Sequence, residues 1–194
     1  MKIRSPIAFV LMTACVLAMA AAPRAQATDD RANPLAAALL DFNSRVEQYM
    51  ERRDEAAAEI ADAERTEDPA RIRSREEALA TRIRAMRASA KHGDIFTPAI
   101  RAAFRRLLAP HTTGDPGREL TSTLQEDAPA PGAVPLEING KYPAGVPFST
   151  TPPNVLVALP PLPTGLEYRF VRKDLILLDQ PADVILDYIR NVIA

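Results

Sequence analysis

The chain has 194 residues, with 24 Lys+Arg against 25 Asp+Glu, two His and one Cys. Trp is absent, Gly is scarce at seven and Pro is plentiful at 18, which disfavours Gly-rich phosphate loops, propellers and collagen-like repeats. Among the strong core formers Val, Ile, Leu, Met and Phe, residues 34–109 hold 17 and the shorter stretch 134–194 holds 23, so an Ala-rich charged half precedes a denser apolar one.

Lys2 and Arg4 precede an uncharged, mostly apolar run over residues 6–22, and Ala25-Gln26-Ala27 supplies an A-x-A site. This layout predicts a signal peptide over residues 1–27, cut before Thr28, and a periplasmic or secreted protein. Two readings compete. An uncleaved anchor would use a run at the short limit of a bilayer span. A lipoprotein signal around Met12-Thr13-Ala14-Cys15 conflicts with the apolar run continuing to Ala22. Cleavage removes three basic residues and the only cysteine, leaving a net charge of −4. Disulfides, a thiolate nucleophile and Cys-based metal sites are then excluded, and the acidity argues against nucleic-acid binding. No later apolar run reaches membrane-spanning length, so no integral membrane segment is expected after cleavage.

A helical region over residues 28–110 comes next. Asn33-Pro34 reads as an N-cap followed by Pro at the first helical position. Leu35, Leu39, Phe42, Val46, Tyr49, Ala56, Ile60 and Ala63 recur at heptad spacing once Arg53 is included, predicting a helix to about Arg65. Asp68-Pro69 opens a second helix with a seam at Ile72, Glu76, Leu79, Ile83, Met86 and Ala90, ended by Lys91-His92-Gly93 with Gly at C′. The short link forces an antiparallel hairpin, and net charges of −4 over residues 34–65 and +5 over 69–91 favour side-by-side packing. Arg53 and Glu76 interrupt their seams and either meet across the hairpin or each snorkel to solvent. Thr97-Pro98 opens a third helix with an apolar face at Ile100, Phe104, Leu107 and Leu108, stopped by Pro110.

Residues 111–135 read as loop and Pro-rich linker, with one helix over 116–125. A small β-rich unit follows over residues 136–194. Strands are expected over 135–139, 154–159, 167–171 and 174–179, the last two joined at Arg172-Lys173 as a hairpin. Residues 182–192 fit a closing helix or a final strand. The whole chain is therefore expected to be α+β.

Residues 147–153, the run Leu159-Pro160-Pro161-Leu162-Pro163-Thr164-Gly165-Leu166-Glu167-Tyr168-Arg169-Phe170-Val171, then Asp174-Leu175-Ile176-Leu177-Leu178-Asp179 and Ile185-Leu186-Asp187-Tyr188-Ile189 resemble a group of exported bacterial proteins. That group carries a Pro-rich strap followed by LEYR, DLIL-D and D-I strings. Lys91-His92-Gly93-Asp94-Ile95-Phe96-Thr97-Pro98 resembles a second string of the group, and Arg172-Lys173 stands where Gly-Arg is usual. More distantly, the end of the chain is similar to periplasmic nickel/cobalt-homeostasis proteins, without their aromatic and His-rich surroundings. The resemblance implies location and architecture and carries over no catalytic residue.

The residues assign no catalytic, cofactor-binding or metal site. His92 and His111 sit at separate helix ends, where a cation favoured by the helix dipole is the simpler role. No G-x-S-x-G elbow surrounds Ser149, whose hydroxyl suits a turn. Asp174 and Asp179 lie about 17 Å apart on an extended strand, too far for a joint acid–base site. Arg71, Arg73, Arg75, Arg82, Arg84 and Arg87 make a basic helix whose nearest partner is the acidic helix before it. Residues 159–163 read as a strap over the core rather than an exposed Pro-rich ligand. The favoured reading is a non-enzymatic envelope interaction or structural protein, forming a homodimer or holding a partner through helices 34–91. The alternatives are an enzyme whose site gathers Glu167, Tyr168, Arg169 and Asp187, and a periplasmic metal- or stress-handling protein.

Overall fold

The fold is that of a computed structural model describing residues 33–60 and 67–193. The signal peptide expected over residues 1–27 and the helical residues expected over 61–65 lie outside the described residues. Helix α1 spans Pro34–Ala58, and its start is local chemistry: the Asn33 carboxamide accepts the Leu35 N–H at 3.1 Å beside Pro34. It buries Ala38, Phe42, Val46, Tyr49 and Ala56, the expected face. Asp68 caps α2, Pro69–Met86, by accepting the Ala70 N–H at 2.9 Å. The two helices are antiparallel: Arg82 pairs with Glu59 at 2.6 Å, and Arg52 donates to the Met86 carbonyl at 3.2 Å.

Only the second half of α2 is packed. Leu79, Ala80 and Ile83 are buried, whereas Ile72 and Glu76 are exposed. The expected end at Gly93 is corrected: the helix stops at Met86, and Gly93 adopts φ +92° in the loop beyond it. Helix α3, Pro98–Thr112, lays Ile100, Phe104 and Leu108 onto the hairpin side of the core. Pro110 does not stop it. The ring removes one helical N–H, but buried Leu108 and Thr112 hold the last turn in place. Helix α4, Gly114–Glu126, follows a break at Thr113–Gly114, with Gly114 at φ +62°, and it packs so tightly on the end of α3 that any Cβ at Gly117 would stand 2.4 Å from the Thr112 carbonyl oxygen.

Strands β1 (Leu166–Val171), β2 (Asp174–Asp179) and β3 (Val184–Ile189) form one antiparallel sheet in chain order. Val171 pairs with Asp174, so Arg172-Lys173 is the expected two-residue turn, with Arg172 at φ +58°. Residues 182–192 thus supply a final strand and not a helix. Leu175, Ile176, Leu177 and Leu178 of β2 are wholly buried because both faces are covered. The helices and the α2–α3 loop cover one face, where Phe42, Phe96 and Phe104 pack with Tyr168 of β1, Phe104 lying at 5.0, 5.2 and 5.8 Å from the Phe42, Phe96 and Tyr168 rings. Residues 134–148 cover the other face through Val134, Tyr142 and Phe148. The helical half and the sheet therefore share one continuous core.

Two expected strands are absent. Residues 135–139 form no strand. Asn139 turns to φ +62°, and the segment meets β3 through single bonds such as Asn139 N–H to the Ile185 carbonyl at 2.9 Å, which shields that sheet edge. Residues 154–159 open with Pro153 at a helical first turn and form the short helix α5, Pro153–Val157. Among the described residues no helix is long and apolar enough to cross a membrane.

Candidate functional site

A β-bulge sets the polar geometry of the sheet. Leu177 pairs with Asp187 and Leu178 with Ile185, so Leu186 is the extra residue. Strict alternation from Val184 would turn Asp187 away from the helices. The bulge instead aims both Leu186 and Asp187 at the helical layer. There Asp187 is fully buried and meets the loop between α2 and α3. Its carboxylate accepts N–H groups from Gly93 (3.1 Å to each oxygen), Ile95 (3.0 Å), Phe96 (2.8 Å) and Tyr188 (2.9 Å). Gly93 reaches it because its positive φ bends the loop around the carboxylate. The string Lys91-His92-Gly93-Asp94-Ile95-Phe96 is thus a carboxylate cradle rather than a helix cap.

Asp179, at the end of β2, is also fully buried. One oxygen accepts both the Tyr49 hydroxyl and the Arg53 Nε–H at 2.6 Å, and the other accepts the Ala182 N–H at 3.3 Å. Arg53 therefore resolves its place in the α1 seam by pairing with the sheet. It does not meet Glu76, which stays exposed. Burial opposes the Arg53 charge, but the hydrogen bond and charge of Asp179 together hold its pKa above the ordinary value.

Burial, then the Asp179 charge and hydrogen bond, push the Tyr49 phenol far above its usual pKa, and burial does the same to Tyr168, whose hydroxyl donates to the Pro160 carbonyl at 3.1 Å. Both folded-state values exceed the unfolded value near 10. Stability from these phenols is therefore full below about pH 10 and is lost as pH rises further, because the unfolded chain ionises first. We expect urea stability to fall above about pH 10 by about 1.4 kcal/mol per pH unit for each of the two tyrosines. A profile that stays flat to about pH 12 would contradict their protonated burial.

The residues of the enzymatic alternative do not converge. Glu167 and Arg169 pair with each other and point to the face covered by Phe148, over whose ring the Arg169 guanidinium lies at 4.6 Å. Tyr168 and Asp187 point to the helical face. The sheet divides the four. The groove beside Glu167 and Arg169, about 610 Å³, is lined mostly by Leu156, Val157, Leu159, Pro161 and Leu162 and is apolar.

His92 is not in a helical last turn: it stacks on Tyr188 with centroids 4.3 Å apart, its Nε2 3.1 Å from the Tyr188 carbonyl oxygen. His111 lies in the last turn of α3, as expected. Among the described residues no three His, Cys, Asp or Glu side chains are grouped to hold a metal ion. Ser149 is buried in its loop, but its hydroxyl has no hydrogen-bond partner among the described residues and so does not serve the turn expected of it, and Asp174 accepts the Asn191 N–H at 2.7 Å. Of the basic α2 residues, Arg82 meets the acidic helix. Arg84 and Arg87 turn to Asn139, and Arg71, Arg73 and Arg75 are exposed.

The apolar inner side of the hairpin is covered by α3, through Ile100 and Phe104 against Phe42. Leu40 and Ile72 stay exposed on the hairpin but lie toward opposite ends of it, so they form no shared patch. The open apolar surface is instead at α5, where Val157 is 83 % exposed beside Leu156. Comparison of the chain with protein-family models, with curated proteins and with solved structures finds no match.

Proposed function

We propose that this chain is an exported envelope protein that works by association and not by catalysis, and that its contact face is the outer strand β1, where it pairs with a second copy. The export reading rests on the layout of residues 1–27. The buried carboxylates Asp179 and Asp187 are both consumed by structural bonds, which leaves them unavailable for acid–base work.

The observation that carries the contact face is the β1 edge itself. β1 is an outer strand. Gln180 N–H donates to the Gly165 carbonyl at 2.9 Å, so the odd-numbered residues of β1 turn their main-chain groups to β2. Tyr168 and Phe170 turn theirs away from β2, and among the described residues no main-chain hydrogen bond meets them there; both residues are buried, at 8 % and 0 % exposed, so pairing requires the side chains that cover this edge to move aside. An antiparallel second β1 centred on Tyr168 would place Glu167 opposite Arg169 of the second copy, twice over. The string Leu166-Glu167-Tyr168-Arg169-Phe170 is self-complementary in this sense, as a two-fold interface requires. The apolar groove with Val157 and Leu156 flanks the same edge and would be covered.

Sedimentation of the purified protein should show a dimer. Arg169→Glu should dissociate it by setting like charges opposite each other, and the swap E167R/R169E should restore it. A wild-type monomer at every accessible concentration, or a swap that fails to rescue a folded single variant, would remove this contact face.

A further inference from the structure

We propose that the cleft between α1 and residues 86–95 binds a phosphoryl group between the guanidinium groups of Arg52 and Arg87. The cleft holds about 230 Å³ and is lined by Arg45, Gln48, Arg52, Arg87, Ser89 and Asp94. That is room for several waters at about 30 Å³ each, and so for a phosphoryl group with part of its substituent.

Three arginines face this space, and their charges are unequally answered. Arg45 is paired with Asp41 at 2.8 Å. Among the described residues Arg52 and Arg87 have no carboxylate partner. Arg52 donates only to the Met86 carbonyl, and Arg87 donates to the Asn139 carboxamide at 2.9 Å and the Leu186 carbonyl at 2.7 Å. The nearby acids are occupied. Asp187 is surrounded by main-chain N–H groups, Asp179 is held by Arg53 and Tyr49, and Asp94 accepts the Lys91 N–H at 2.7 Å. Burial lowers the Arg87 pKa; the Tyr49, Asp187 and Asp94 charges act against that, and the Arg52 charge adds the smallest push downward. An anion between them would relieve the repulsion.

The two guanidinium groups belong to opposite walls, Arg52 to α1 and Arg87 to the end of α2. A tetrahedral phosphoryl group offers oxygens to both walls at once, which a planar carboxylate does less well. Arg52 stands at the exposed rim and Arg87 is half-buried, which orders entry from solvent inward. Asp94 also lines the cleft and opposes an anion, so its charge gives the test a second sign.

Calorimetry with inorganic phosphate on the purified protein should show one-to-one binding at or below about 1 mM. Arg52→Gln should weaken it about tenfold or more without unfolding the protein, since Arg52 makes one rim hydrogen bond. Asp94→Asn, which keeps an acceptor for Lys91, should tighten it several-fold. A cap or packing role for these residues would not produce opposite shifts. Flotation with vesicles containing phosphatidic acid separates the sources. Arg52-dependent flotation assigns the site to a lipid phosphomonoester, and phosphate binding without flotation assigns it to a soluble ligand. No binding of either up to about 10 mM phosphate, or binding that Arg52→Gln and Asp94→Asn leave unchanged, overturns the proposal.

Discussion

Replacing Asp187 by Ala should cost about 3–5 kcal/mol of folding stability, the loss expected when a buried hydrogen-bonded charge is removed from the groups built around it. Four main-chain N–H groups, those of Gly93, Ile95, Phe96 and Tyr188, would lose their acceptor inside a region closed to water. Each orphaned donor costs about 1–3 kcal/mol, and relaxation of the loop keeps the costs from adding in full. Asp187→Asn is the sharper variant. Both carboxylate oxygens accept from main-chain N–H groups, so whichever side receives the amide NH₂ sets donor against donor. It should cost about 2–3 kcal/mol despite equal size. The loop should loosen before the sheet does. Amide exchange at Ile95 and Phe96 should accelerate more than at Leu175 or Leu177, which the same cradle does not hold. A loss below about 1 kcal/mol in urea unfolding would mean that the loop finds other acceptors, and the cradle would then not organise the α2–α3 connection.

The parts of this fold that are specified locally are legible in the sequence. Asn33-Pro34, Asp68-Pro69 and Thr97-Pro98 each open a helix, because a side-chain oxygen and a fixed φ act within three residues. The β1–β2 hairpin is legible for the same reason, from alternation on either side of a two-residue turn. What failed depends on residues distant in sequence. Gly93 carries a positive φ, as a helix-capping glycine does, but the reason for it is Asp187, 94 residues away. Strict alternation along β3 would put Asp187 on the opposite face, since one bulge residue reverses every later side chain and leaves no local mark. Arg53 did stand out as a charge in an apolar seam. The neighbouring helix offers Glu76 as the nearest apparent partner, whereas Asp179 lies 126 residues on. Asp179 itself looked like a strand-end carboxylate, and only the packing of α1 on the sheet buries it. The apolar run at 154–159 was too short for period to separate strand from helix, and the Pro152-Pro153 step decided for a helical turn.

The Arg53–Asp179 pair makes the second large effect, and it should appear as coupling. Asp179 is fully buried and the Arg53 side chain is 12 % exposed, so each alone would be a charge in a poorly solvating place. Asp179→Leu and Arg53→Leu should each cost about 3–5 kcal/mol. The double variant should recover most of that, because two apolar side chains of similar reach leave no charge unanswered. Recovery should be incomplete for two reasons. Asp179 also accepts the Ala182 N–H that starts the 3₁₀ turn at Gln180–Ala182, and it accepts the Tyr49 hydroxyl. Tyr49→Phe in the otherwise native protein should cost about 1–2 kcal/mol by the loss of that one bond to a charged acceptor. Gly165 limits any rearrangement, since its φ is +93° and a Cβ there would stand 3.2 Å from Arg53 Nη2. Glu76→Leu serves as the contrast. Glu76 is exposed and makes no contact with Arg53, so its replacement should stay within about 0.5 kcal/mol and add independently to Arg53→Leu. Single losses at 53 and 179 that simply add in urea unfolding would show that the two charges are solvated separately, and α1 would then be held to the sheet by its apolar face alone.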